Sequence, residues 1–243
     1  MKQKLFAANW KLNKGPKETK TFFNEFKSII PQEIQNKIVF FVPATSLETT
    51  SQILEGSKIR FGSQNCYSQV SGAFTGEISA QVVKDMGAQF ILLGHSERRQ
   101  IFKESDDFIA AKGKLVQSLG LTPMFCIGET LEEREAGKTE KVCETQLAVF
   151  MKSIDLKKEW IVAYEPVWAI GTGKVASLDQ VSEAHSHIRK IIEKGGGAPS
   201  LPILYGGSVK PENAKELLAI PEVGGFLVGG ASLEPQSFAK ICL

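Results

Sequence analysis

The sequence predicts an α/β fold: one domain over residues 1–243, built as a (β/α)8 barrel of eight parallel strands. Three observations carry that expectation. Eight short apolar runs recur without alternating polar and apolar residues, which marks strands covered on both faces. Segments with helical spacing lie between most of them, at a mean period of roughly 30 residues, as in repeated βαβ units. Polar or glycine-rich residues follow nearly every run, the first and last included. An open doubly wound sheet would normally concentrate such residues at one switch point. A barrel brings every C-terminal strand end to one mouth.

In chain order, Leu5–Asn9 is the first strand and leads to Lys11. Phe22, Phe26, Ile29 and Ile30 then share one helix face. Ile38–Val42 and Ile59–Gly62 are the second and third strands, the latter followed by Gln64 and Asn65. Phe90–Gly94 delivers His95, and Ser96-Glu97 opens a polar helical stretch. Phe108, Ala111, Leu115 and Leu119 mark the next helix face, with Gly120 as its stop. Leu121–Ile127 carries Cys126, and Trp160–Tyr164 is followed by Glu165. Ser177 to Gln180 spells a capping box, continued by the apolar stripe Val181, Ala184, Ile188 and Ile191. Gly195–Gly197 ends that helix. Ile203–Gly206 and Phe226–Gly229 are the last two strands, ending in Gly206–Ser208 and Gly229–Gly230.

Composition narrows the function classes. With 29 Lys+Arg against 27 Asp+Glu, the formal charge is +2. That balance leaves no electrostatic footprint for nucleic acid or an anionic membrane surface. The four cysteines are scattered, with no CxxC pair. Lys2, Lys4, Asn9 and Lys11 interrupt the N-terminus before a signal-peptide core forms, and no apolar run is long enough to span a bilayer. The expected location is cytoplasmic. No metal site emerges: His185 and His187 stand two apart on a helix and point to different sides. Glu132-Glu133-Arg134-Glu135 reads as a solvated helix face, and Gly137-Lys138-Thr139 lacks the earlier glycine of a nucleotide-binding loop.

The strand ends suggest chemistry. The glycine pairs follow the seventh and eighth strands, where barrels often bind phosphate through backbone amides. Ser208 and Ser232 offer a hydroxyl or a helix cap. Glu165 and His95, with the Lys11 ammonium near, suit proton abstraction beside a carbonyl. Each has an ordinary reading as well: a salt-bridged rim carboxylate for Glu165, a helix cap for His95 and tight turns for the glycines. Cys126 reads as packed near the site rather than reactive. The segment Pro166–Ala176, apolar with a stiff proline at one end and glycines near the other, reads as a lid.

Seven blocks in order along the chain resemble the triosephosphate isomerase family: AANWKLN (Ala7–Asn13), GAFTGEIS (Gly72–Ser79), LLGHSERR (Leu92–Arg99), CIGETLEER (Cys126–Arg134), AYEPVWAIGTGK (Ala163–Lys174), YGGSV (Tyr205–Val209) and LVGGASL (Leu227–Leu233). The resemblance implies a TIM barrel that interconverts dihydroxyacetone phosphate and D-glyceraldehyde 3-phosphate through an enediolate, without a cofactor, in glycolysis and gluconeogenesis. It implies Glu165 as base, neutral His95 as electrophile and proton shuttle, and Lys11 as charge stabiliser; a Glu base with a neutral His is a known pairing in this very family. It further implies substrate binding by Asn9 and Lys11 and phosphate binding at Gly171, Ser208, Gly229 and Gly230. A homodimer is expected, with Thr75 set beside the neighbouring active site. Two departures stand out. Val175 occupies the lid's second hinge where many members have Thr, and Gly224-Gly225-Phe226 replaces the commoner Asp-Gly-Ala. The competing readings are an aldolase-like barrel with a Schiff base on Lys11 and an idle barrel kept as a binding protein.

Overall fold

The computed structural model describes residues 3–31, 33–171 and 174–243. Lys2 and the lid residues Thr172 and Gly173 lie outside them. The strands are β1 (Leu5–Asn9), β2 (Lys37–Val42), β3 (Arg60–Ser63), β4 (Phe90–Leu93), β5 (Thr122–Ile127), β6 (Ile161–Tyr164), β7 (Ile203–Tyr205) and β8 (Gly225–Val228). They pair in parallel in sequence order, and β1 pairs β8 to close a (β/α)8 barrel. Leu5 lies opposite Lys37 on one side and Gly225 on the other. Gly94, Gly206 and Gly229 fall just past the strand ends rather than inside them, because the chain turns there.

The period-2 geometry of a strand sorts its side chains into two apolar bodies. Leu5, Ala7, Val39, Phe41, Met124 and Ala163 belong to the cluster inside the barrel. Phe6, Ala8, Phe40, Val162 and Tyr164 belong to the outer layer under the helices. Both faces are therefore buried, and no alternation survives in the sequence. The same parity carries function: Asn9 continues the inward series Leu5, Ala7, and Glu165 continues Ile161, Ala163.

The helices are α1 (Pro16–Ile29), α2 (Leu47–Leu54), α3 (Ala80–Asp85), α4 (Ser96–Gln100), α5 (Asp106–Ser118), α6 (Leu131–Glu135), α7 (Thr139–Ser153), α8 (Leu178–Lys194), α9 (Pro211–Leu218) and α10 (Pro235–Cys242). α1 buries Phe22, Phe23 and Phe26, which meet Phe40 of β2 at ring-centroid distances of 5.6, 4.9 and 5.1 Å. Phe238 of α10 joins them at 5.3 Å from Phe40. Edge-to-face contacts of this kind add to area burial. The α8 capping box forms: Ser177 Oγ accepts from the Gln180 N–H, and Gln180 Oε1 accepts from the Ser177 N–H. Val181, Ala184 and Ile188 are buried, and Ile191 is half-buried.

α5 differs from expectation in which face it buries. Ile109, Ala110, Lys112, Gly113, Val116 and Gln117 face inward, while Ala111 is exposed and Phe108, Leu115 and Leu119 are half-buried. The buried face includes Lys112, whose ammonium is paired by Glu104 at 2.7 Å and Asn65 at 3.0 Å. A polar residue made core by its partners hides from any apolar-spacing rule.

In the Gly224-Gly225-Phe226 segment, Gly225 keeps the glycine of the commoner pattern, and the departing Phe226 fills space under the helices. A Cβ on Gly225, which has φ +144°, would lie 1.8 Å from the Leu5 carbonyl oxygen. Phe226 is buried against Phe6, with ring centroids 5.9 Å apart. Among the described residues, no helix is long and apolar enough to cross a membrane.

Candidate active site

A cavity of about 880 Å³ opens at the C-terminal mouth of the barrel. Asn9, Lys11, His95, Glu165, Gly171, Ser208, Gly229 and Gly230 all line it, whereas Gln64, Asn65, Cys126 and Ser232 are not part of its wall. The eight lining residues named come from the ends of β1, β4, β6, β7 and β8 and from the segment after β6.

His95 is the N-cap of α4, and its Nδ1 accepts a hydrogen bond from the Glu97 N–H at 3.2 Å. An acceptor nitrogen carries no proton, so the ring's N–H sits at Nε2. That nitrogen lies 3.1 Å from Glu165 Oε1. The other carboxylate oxygen of Glu165 accepts from the Ser96 N–H at 3.0 Å. Both partners therefore come from the start of one helix, which favours negative charge. The α4 turn is itself tied to β5: Arg99 donates to the Gly94 carbonyl at 2.8 Å and to the Cys126 carbonyl at 3.2 Å.

Space for the carboxylate comes from glycine. A Cβ on Gly206 would lie 2.9 Å from Glu165 Cγ, and one on Gly207 would lie 2.2 Å from the Tyr205 hydroxyl. Burial, and next the Glu165 charge, hold the Cys126 thiol well above its ordinary range, so Cys126 packs the site and stays protonated.

Lys11 pairs with Glu97 at 2.7 Å, and the second Glu97 oxygen lies 3.6 Å from His95 Nδ1. Glu97 thus joins the ammonium to the helix that carries the imidazole. Lys11 has φ +52°, a left-handed conformation uncommon outside glycine. Trp10 Nε1 donates to the Ser232 carbonyl at 3.2 Å, which ties this loop to the turn after β8. Ser232 is buried, and its hydroxyl donates to the Gly229 carbonyl at 2.7 Å, bracing that turn.

The lid segment begins with a 3-10 turn, Val167–Ala169, clamped to Glu129. Val167 N–H donates to the Glu129 carbonyl at 3.1 Å, and Trp168 Nε1 donates to the Glu129 carboxylate at 3.0 Å. That carboxylate is fully buried and also accepts from the Tyr164 hydroxyl at 3.0 Å and from Arg134 at 3.0 Å. Arg134 further lies over the Trp168 ring at 5.1 Å. The solvated-face reading of residues 132–135 therefore fails at Arg134, whose partner is a buried charge. Glu133 makes a capping box with Thr130. Gly171 and Val175 are exposed, and Ala176 is buried beside Tyr205, whose hydroxyl burial pushes up to about 12.

Two positions gain importance only here: Glu129 and Arg134. Glu129 and Arg134 sit inside the CIGETLEER block, but nothing in the spacing of Glu129 names its partners Tyr164 and Trp168, 35 and 39 residues away. His185 and His187 separate as expected: His185 Nδ1 lies 3.3 Å from the Glu222 carbonyl, whereas His187 lies 3.5 Å from Glu140.

A family model described as triosephosphate isomerase matches residues 4–243. A triosephosphate isomerase of Bdellovibrio bacteriovorus is 58% identical over 239 residues, covering 98% of both chains. One of Aquifex aeolicus is 45% identical over 244 residues, again covering 98% of both. One of Lactobacillus delbrueckii subsp. bulgaricus is 45% identical over 242 residues, 98% of this chain and 96% of the other.

Proposed function

The chain belongs to the triosephosphate isomerase family, and from that membership we propose how its residues act. It is an isomerase that interconverts dihydroxyacetone phosphate and D-glyceraldehyde 3-phosphate. The observation that carries our reading is the meeting of Glu165, His95 and Lys11 in one cavity walled by the glycine turns after β7 and β8.

Glu165 takes the proton from the carbon beside the carbonyl, and electrons move onto the carbonyl oxygen to leave an enediolate. His95 Nε2–H donates to that oxygen and moves protons between the two oxygens. The Lys11 ammonium stabilises the developing negative charge, and Asn9 positions the substrate. Donors already aimed at such an oxyanion are worth about 2.7–4 kcal/mol each. Backbone amides at Gly171, Ser208, Gly229 and Gly230 hold the phosphate, where an absent side chain lets the chain approach closely. Return of the proton to the neighbouring carbon completes the isomerisation. Atoms and electrons balance within the substrate.

The segment Pro166–Ala176 acts as a lid that keeps water from the enediolate and suppresses phosphate elimination. The clamp on Trp168 and the buried Ala176 support fixed ends for such a cover, with Gly171 and Val175 exposed between them. We read residues 1–243 as one domain, the protein as cytoplasmic, and its pathway as glycolysis and gluconeogenesis. We also read it as a homodimer in which Thr75 reaches the neighbouring site and buttresses Asn9 and Lys11. Exposed Phe74, next to Thr75 in the chain, supports a covered face there.

The test is a coupled isomerase assay on the wild type and Glu165→Ala. The variant is expected to lose most turnover while still binding a phosphate-bearing ligand. Near-wild-type turnover, with contaminating enzyme excluded, overturns the assignment of the base.

A further inference from the structure

Gln64 follows β3, and its side-chain amide reaches past the end of β2 to the loop after β1. Its Nε2 lies within hydrogen-bond distance of three oxygens, the Lys11 carbonyl at 2.8 Å, the Phe41 carbonyl at 3.2 Å and Asn9 Oδ1 at 3.3 Å, the two longer contacts sharing one of its two hydrogens. Asn9 Oδ1 also accepts from the Lys11 N–H at 3.0 Å, and the Phe41 carbonyl also accepts from the Trp10 N–H at 3.2 Å. One amide group thus gathers the end of β2 and the loop after β1.

Two consequences follow from donor and acceptor chemistry. With both hydrogen bonds arriving at Oδ1, the amide of Asn9 is oriented so that its NH2 is the end left to face outward as a donor. The bond to the Lys11 carbonyl grips a residue at φ +52°, which L-amino acids occupy only when their surroundings hold them there. Asn9 alone does not do this, because its bond to the Lys11 N–H secures only one end of that residue.

We propose that Gln64 is a positioning residue for the isomerisation: through its amide it holds the Lys11 backbone in its left-handed turn and turns the Asn9 NH2 toward the substrate. The proposal rests on the roles given above to Lys11 and Asn9. Gln64 itself touches no reacting atom. Its removal acts on substrate positioning through Asn9 and on oxyanion stabilisation through Lys11 together, since one amide holds both.

The test compares kcat and KM for D-glyceraldehyde 3-phosphate in the wild type, Gln64→Met, Gln64→Glu, Lys11→Ala and the Lys11→Ala/Gln64→Met double variant, each with its melting temperature. Met keeps the length and removes the donors. Glu keeps the shape and polarity but sets a carboxylate against three acceptor oxygens. Either single Gln64 variant is expected to lower kcat/KM about 10- to 100-fold, the range for a misplacement of about 1 Å, with changes in both kcat and KM. The double variant is expected to lose clearly less than the product of the two single effects, because the Lys11 part of the Gln64 effect is already gone and only the Asn9 part remains. A lower melting temperature with unchanged kcat and KM per folded molecule overturns the proposal, as does a Gln64 effect that multiplies in full onto Lys11→Ala. Should the Met variant not fold, the Glu variant decides by the same readings. A Lys11→Ala enzyme with full activity overturns the Lys11 role and this proposal with it. An inactive Lys11→Ala beside fully active Gln64 variants overturns this proposal alone.

Discussion

Lowering the pH from 7 to 5 is expected to cost this protein about 2 kcal/mol at one buried residue, His185. The ring lies fully buried on α8, edge-on to Tyr164 with centroids 5.8 Å apart. Its Nδ1–H donates to the Glu222 carbonyl, and Nε2 has no hydrogen-bond partner among the described residues. Burial lowers its pKa from 6.5 to about 4, with the Glu222 carbonyl opposing and Arg189 assisting. The sign follows from the two states. The unfolded chain takes up this proton below 6.5, whereas the folded chain refuses it until about 4. Stability is therefore complete above 6.5 and is lost as pH falls through that window. The whole window is worth about 3 kcal/mol, of which about 2 kcal/mol is gone by pH 5. Urea unfolding at pH 7, 6 and 5 measures it against His185→Asn, which keeps a donor for the Glu222 carbonyl but does not titrate. The variant is expected to be less stable at pH 7 yet to lose about 2 kcal/mol less on acidification, since groups shared by both proteins cancel in the difference. Parallel pH profiles would refute the reasoning.

Gly206→Ala places a Cβ 2.9 Å from Glu165 Cγ; turnover is expected to fall about 100-fold through displacement of the base, and a coupled assay giving wild-type kcat contradicts this. Trp168→Phe removes one hydrogen bond to the buried Glu129 carboxylate, worth about 1.5 kcal/mol; phosphate released per isomerisation turnover is expected to rise, and an unchanged ratio removes the clamp from the lid's function. Thr75→Arg, on an exposed loop, is expected to halve the mass seen by light scattering and to abolish most activity; a fully active variant of unchanged mass speaks against the shared interface.

The barrel was legible because its signals are local or periodic. Leu5, Ala7 and Asn9 show how: strand parity sends all three inward, and the last of them reaches the mouth. The α8 capping box was equally plain, since Ser177 and Gln180 are three residues apart and bond each other. Lys112 shows the opposite case. Its burial depends on Glu104 and Asn65, so apolar spacing on α5 pointed to the wrong face. Arg134 misled in the same manner, as a charge in a charged run whose partner is the buried Glu129.

What the amino-acid order determined alone is the succession of strands and helices, the strand ends that meet at one mouth, and the residue types available there. Those follow from side-chain period and from backbone preference, which act over a few residues. Only the closed barrel decided which oxygen Gln64 grips, which carboxylate clamps Trp168 and which tautomer His95 presents. Hydrogen bonds are directional and short, and Gln64 meets Asn9 across 55 residues of chain; such a contact exists only once the strands have been brought side by side.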